Sequence, residues 1–181
     1  MPGSFVQYLI YIHAALGGVA LFSGGVALLT PKGNKLHKKG GLVFYYAMLS
    51  SATISMIVSV QPEHVNYFLF VIAVFSVYMI LSGKRILAMK SFYKNPKPKR
   101  ADFTLPLAML VAAIAMLVYG LYLKRTQGNT GIVLLVFGSI GLAMSIGDIR
   151  LLNTKPRDKK FWLYQHISKM TGGYIAVLTA F

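Results

Sequence analysis

Six residues of types that can do chemistry lie inside or against long apolar runs of this chain. His13, Asp148, His166 and Lys169 fall within the runs, His37 stands just before one, and Arg85 closes another. An ionisable side chain in hydrocarbon is costly, so one that is retained there marks either a pairing between helices or a functional site. Imidazoles on facing helices can ligate haem iron or hydrogen-bond a quinone. Two imidazoles and a carboxylate can hold zinc.

Each residue also has a structural reading. A lone His in an apolar helix often does no more than hydrogen-bond its neighbour, which applies to His13. Asp148 has Arg85, Lys169 and Arg150 as candidate partners, and Arg150 is the poorest because residues two apart do not share a helix face. His37 follows Lys35 and precedes Lys38 and Lys39, as a solvated interfacial His would. His64, in the segment Pro62-Glu63-His64, reads as solvated.

The elements that must position these groups follow from hydropathy. The 181-residue chain is 56% hydrophobic and 13% charged, with Asp and Glu numbering four. Apolar runs cover about 5–29, 41–61, 66–88, 104–123, 131–151 and 161–181. Each is long enough, at about 1.5 Å per residue, to cross a hydrocarbon core of about 30 Å. The sequence therefore predicts an all-α fold: a polytopic transmembrane bundle of six helices in a single domain, 1–181. Sixteen of the 19 Lys and Arg residues lie in the first, third and fifth connections, or at the span ends beside them, and only Lys124 and Arg125 lie on the opposite side. By the positive-inside rule the N-terminus and C-terminus are extracytoplasmic.

The same charge pattern decides against nucleic acid as a partner. A net charge of +15 would point to it in a soluble protein, but here topogenesis explains the cations. The partners expected are the lipid bilayer and other membrane subunits or further copies of the chain. Without Cys, disulfides, thiolate metal sites and cysteine nucleophiles are excluded. The first run is too long for a signal-peptide core and has no basic segment before it. Tyr8, Tyr11, Tyr67, Phe68, Tyr119, Tyr122, Trp162 and Tyr164 cluster near span ends as an interfacial belt would. The last span reaches Phe181 with no polar anchor, which leaves room for a short further tail.

Spacing and depth narrow where a site can form. His13, Gly17, Ala20 and Gly24 share one face of the first span, and Gly138, Gly141, Ser145 and Asp148 share one face of the fifth. His166, Lys169, Met170 and Gly173 do so in the sixth, and Gly41, Tyr45, Met48 and Ala52 continue from His37 in the second. His37, Asp148, His166, Lys169 and Arg85 all lie near the cytoplasmic side, with His166 about 7 Å deep. His13 is about 24 Å from the inner end of its span and belongs to the outer half. Four His ligands for two haems are therefore excluded, whereas one haem b on His37 and His166, or a quinone held by His and Asp, is compatible. Zinc on His37, His166 and Asp148 ranks lower, because no HExxH pattern supports it and no general base remains. Nucleotide loops and a serine elbow are absent.

Two segments carry a family resemblance. The run His13-Ala-Ala-Leu-Gly-Gly-Val-Ala-Leu-Phe-Ser-Gly-Gly, followed by Lys32-Gly and His37-Lys-Lys-Gly-Gly, resembles the opening of a bacterial membrane family called domain of unknown function 2306. The closing run from His166-Ile-Ser-Lys-Met-Thr-Gly-Gly to Phe181, and Asp148-Ile-Arg150, are similar to that family's last two helices. Lys38 and Lys169 stand where the family often has Arg, which keeps charge and loses bidentate pairing. The resemblance supports the fold and the choice of residues and implies no reaction. The leading expectation is a small redox-type protein with haem b or a quinone at the cytoplasmic-side cluster. The alternative is a non-catalytic subunit or assembly factor of a larger membrane complex, and a metal-dependent membrane hydrolase ranks third.

Overall fold

A four-residue turn sets the first helical hairpin. In the computed structural model, which describes residues 2–62 and 64–180, α1 (Pro2–Leu29) is followed by Thr30 and the turn Pro31-Lys32-Gly33-Asn34, and α2 (Lys35–Val58) begins at once. The Asn34 N–H donates to the Pro31 carbonyl, and Gly33 has φ +86°, a backbone conformation open to glycine at little cost. Asn34 then caps α2, its Oδ1 accepting from the His37 N–H at 2.6 Å. The helix therefore starts about six residues before the expected 41, and His37 lies in its first turn instead of preceding it.

Beyond α2 come α3 (Tyr67–Arg85), a 3₁₀ turn at Ile86–Met89, α4 (Thr104–Gln127), α5 (Ile132–Asn153) and α6 (Phe161–Ala180). The described residues are otherwise turns and short 3₁₀ pieces, with no strand among them. Phe181, the expected end of the last span, lies outside the described residues.

Four helical stretches are long and apolar enough to cross a membrane: Phe5–Leu29, Lys35–Val58, Tyr67–Met89 and Arg100–Asn153, the last containing both α4 and α5. The helix α6 does not join them, because Gln165, His166 and Lys169 interrupt its apolar sequence. Large apolar side chains face outward along these helices, with Phe22 78% and Val111 68% exposed. A surface of that kind is suited to lipid and not to water.

The chain forms two compact units. The first holds residues up to Ile80 together with Lys169 onward, and the second runs from Leu81 to Ser168. The first is built on the α1–α2 hairpin, with Ala20, Phe44, Ala47, Met48, Ile80 and Val177 as its core. Close approach depends on Gly40, where an added Cβ would lie 3.1 Å from the Ser23 carbonyl oxygen. The buried stripe of α2 runs through Gly40, Phe44, Ala47, Met48, Ser51 and Ala52. It is shifted from the expected face: Met48 and Ala52 belong to it, but a Cβ on Gly41 would meet nothing within 4 Å.

The second unit centres on the α4–α5 hairpin, joined through Gly128 at φ +68°. There Gly138 meets Ala113 and Leu117 of α4, and Gly138, Gly141 and Ser145 form a buried stripe as their spacing predicts.

Candidate functional site

Three histidines share one hydrogen-bonding habit. His13 Nδ1 lies 2.9 Å from the Ser51 carbonyl oxygen, His37 Nδ1 2.9 Å from that of Ala27, and His166 Nδ1 2.8 Å from that of Gly83. A carbonyl oxygen only accepts, so in each ring the proton sits on Nδ1 and, when the ring is neutral, the lone pair sits on Nε2.

Two of the three acceptors have the same origin. The last four carbonyls of an α-helix have no intrahelical partner. Ala27 is in the last turn of α1 (Pro2–Leu29), and Gly83 is in the last turn of α3 (Tyr67–Arg85). His37 caps the first and His166 the second, each from another helix. The α1 terminus has further donors: Lys32 Nζ reaches the Leu28 carbonyl at 2.6 Å, and Thr30 Oγ1 that of Val26 at 2.9 Å. Cationic donors also suit the negative end of the helix dipole.

His13 is different. Ser51 lies in the interior of α2, and the two residues exchange bonds: Ser51 Oγ donates to the His13 carbonyl at 3.0 Å and lies 2.9 Å from Nδ1. Ser51 is only 3% exposed, so this clamp ties α1 to α2 within their interface. His13 and Ala27, where His37 docks, are fourteen positions apart in the sequence, about 21 Å along a helix. His13 therefore stands apart from His37.

The charged residues are distributed between the two units. Lys169 belongs to the first unit and is 5% exposed, with Nζ 4.9 Å from the Tyr78 ring centroid. Such a contact is a recognised mode of holding a cation away from water. Arg85, Asp148 and His166 belong to the second. Arg85 was expected among the partners of Asp148, yet it pairs with Asp102. Its Nη2 lies 2.5 Å and its Nε 2.7 Å from Asp102 Oδ1. The other carboxylate oxygen accepts the Lys99 N–H at 2.7 Å. The Asp102 side chain is 7% exposed, so a buried carboxylate fixes the end of α3 to the entry of α4. Asp148 is half-buried, one turn from the end of α5.

Asp102 and Ser51 are not among the residues that the sequence marks as candidates. The signal for Asp102 was its rarity, one of four acids among 19 cations. Ser51 carried none, since a serine in an apolar helix is common. Among the described residues no group of three or more His, Asp or Glu is arranged to hold a metal ion, so the set His37, His166 and Asp148 gains no support as a zinc site. Comparison with family models, with curated proteins and with solved structures finds no match.

Proposed function

We propose that the chain is a six-span protein of the bacterial inner membrane, with both termini outside, that holds a redox group, haem b or a quinone, through an imidazole Nε2. The observation that carries this reading is the proton placement in His37 and His166. A histidine that ligates a metal characteristically donates its other ring N–H to a carbonyl or carboxylate, which fixes the ring and raises the basicity of the ligating nitrogen. The Gly83 carbonyl stands in that relation to His166, and the Ala27 carbonyl to His37. The same tautomer would let Nε2 accept a proton from a quinol hydroxyl. The six-span reading takes α6 as the last crossing, with Lys169 drawn against Tyr78. The 16-to-2 division of cations supports the orientation. The resemblance to domain of unknown function 2306 belongs to this proposal and supports the choice of His13, His37 and His166.

A second reading is a non-catalytic subunit or assembly factor. It is favoured by the fact that His13, His37, His166 and Arg85 each tie one segment to another, which is work enough for a structural residue. An optical spectrum and a solvent extract of protein purified in mild detergent separate the two. A Soret band, or stoichiometric quinone that is lost with His166→Ala, supports the first. A colourless, quinone-free protein would leave the second standing.

A further inference from the structure

Two basic segments distant in sequence form one face of the second unit. Lys90, Lys94, Lys97, Lys99 and Arg100 follow α3, while Lys155, Arg157, Lys159 and Lys160 join α5 to α6, and all nine are exposed. Beneath them Ile86, Met89 and Phe92, at the start of the first segment, meet Leu152 and Phe161, which flank the second, in one buried cluster, bordered by Tyr93, Phe103 and Trp162. The Phe92 and Phe161 rings are 6.1 Å apart.

Cations cross between the segments. Lys90 Nζ lies 4.6 Å from the Trp162 ring centroid, and Lys155 Nζ lies 6.0 Å from that of Tyr93. Neighbouring acids do little to neutralise the face. Asp102 is buried against Arg85, and Asp158 is exposed, with one carboxylate oxygen accepting the Lys160 N–H at 2.7 Å.

Topogenesis needs these charges to be present, but it does not need them assembled on an ordered aromatic base. We propose that this face binds the headgroups of anionic phospholipids, with Lys90 and Lys155 contacting phosphate from their positions over Trp162 and Tyr93. The inference rests on the membrane-spanning reading of the helices, which puts the ends of α3 and α5 and the start of α6 at headgroup level. Indole and phenol rings favour that level, and juxtamembrane Lys and Arg are drawn to anionic lipid. A lysine stem already laid on a ring has less freedom to lose on binding than a free one. Headgroups are also the phosphates held permanently beside the ends of apolar helices, which favours them over nucleic acid.

Trp162 is the chain's only Trp, so its fluorescence reports on this face directly. The protein is reconstituted in phosphatidylcholine bilayers containing equal small fractions of either brominated phosphatidylglycerol or brominated phosphatidylcholine. Quenching by the anionic lipid should exceed that by the zwitterionic one by roughly twofold or more. The preference should fall to parity in K90Q/K155Q and persist in K35Q/K38Q/K39Q, which alters a different basic segment. On the unaltered chain, about 1 M NaCl, with a screening length of about 3 Å, should remove most of it. Equal quenching by the two lipids, or a preference that survives both K90Q/K155Q and high salt, would overturn the proposal. Parity combined with tight binding of a short oligoribonucleotide would do so in favour of nucleic acid. No quenching by either lipid would overturn the membrane placement beneath it as well.

Discussion

The Nδ1–H of His166 donates to the carbonyl of Gly83 over 2.8 Å, closing the C-terminal turn of α3 from a helix that begins more than 70 residues later in the chain. His37 does the same for the C-terminal turn of α1 at Ala27. These imidazoles act as caps contributed from another helix.

The caps predict a graded loss. Removing the donor to a carbonyl that has no other partner costs about 1–3 kcal/mol, whereas the Ala27 carbonyl keeps Lys32 Nζ at 3.3 Å and Thr30 Oγ1 at 3.4 Å when His37 is lost. His166→Ala should lower the unfolding midpoint in detergent more than His37→Ala does, while His64→Ala, at an exposed position, should leave it unchanged. His166→Gln should recover part of the loss, because its amide can still donate. Full stability of His166→Ala would remove the capping role.

How much of this was legible in the sequence differs from element to element. The helices from α1 to α5 were, because a long apolar run of about 20 residues has few other interpretations, whereas the run of α6 is interrupted by Gln165, His166 and Lys169. The start of α2 was not: Lys35, Lys38 and Lys39 make its first turn as polar as a loop, and only Asn34, a good cap residue, marks the boundary. The adjacent pair Gly40-Gly41 explains the misplaced face of α2. Either glycine fits a small-residue stripe, and only the approach of the Ser23 carbonyl selects Gly40. The Arg85–Asp102 pair links residues 17 apart across a segment containing Asn95-Pro96-Lys97-Pro98, where no helical spacing brings side chains together. The prolines marked a break, and the fold of that break depends on the aromatic cluster beneath it.

That pair gives a second expectation. Arg85→Ala would leave Asp102, with its 7% exposed side chain, without its cation, and Asp102→Ala would leave Arg85 half-exposed and able to reach water. The first should therefore cost more, on the order of 2 kcal/mol after discounting for the exposure of Arg85. The double variant should be less damaged than the sum of the two. A thermal-unfolding cycle measures this, and additivity within about 0.5 kcal/mol would mean that the residues are not coupled.

Glycines in the first unit offer a paired test of packing. A Cβ on Gly24 would stand 2.6 Å from Tyr174 Cδ2 and 2.9 Å from Phe44 Cδ2, two rings that already pack 6.1 Å apart. A Cβ on Gly18 would meet nothing within 4 Å. Gly24→Ala should destabilise by about 1–3 kcal/mol through overpacking. Gly18→Ala should be neutral or slightly stabilising, since Ala is the better helix former. Equal effects at the two positions would mean that α1 does not pack against Phe44 and Tyr174 as described.

The orientation can be tested because the chain has no Cys, so a single introduced thiol has no competitor. Lys38→Cys, in the first basic segment, should resist an impermeant maleimide applied to intact cells and react after the membrane is opened. His64→Cys, between α2 and α3, should react in intact cells. The two positions lie at opposite ends of one apolar helix whose 24 residues span about 36 Å, so one crossing must separate them if α2 is transmembrane. Labelling of both from outside would show that α2 does not cross. The reverse pattern would keep the crossing and invert the orientation of α2. The positive-inside rule would then fail for a chain in which it makes an unusually strong statement.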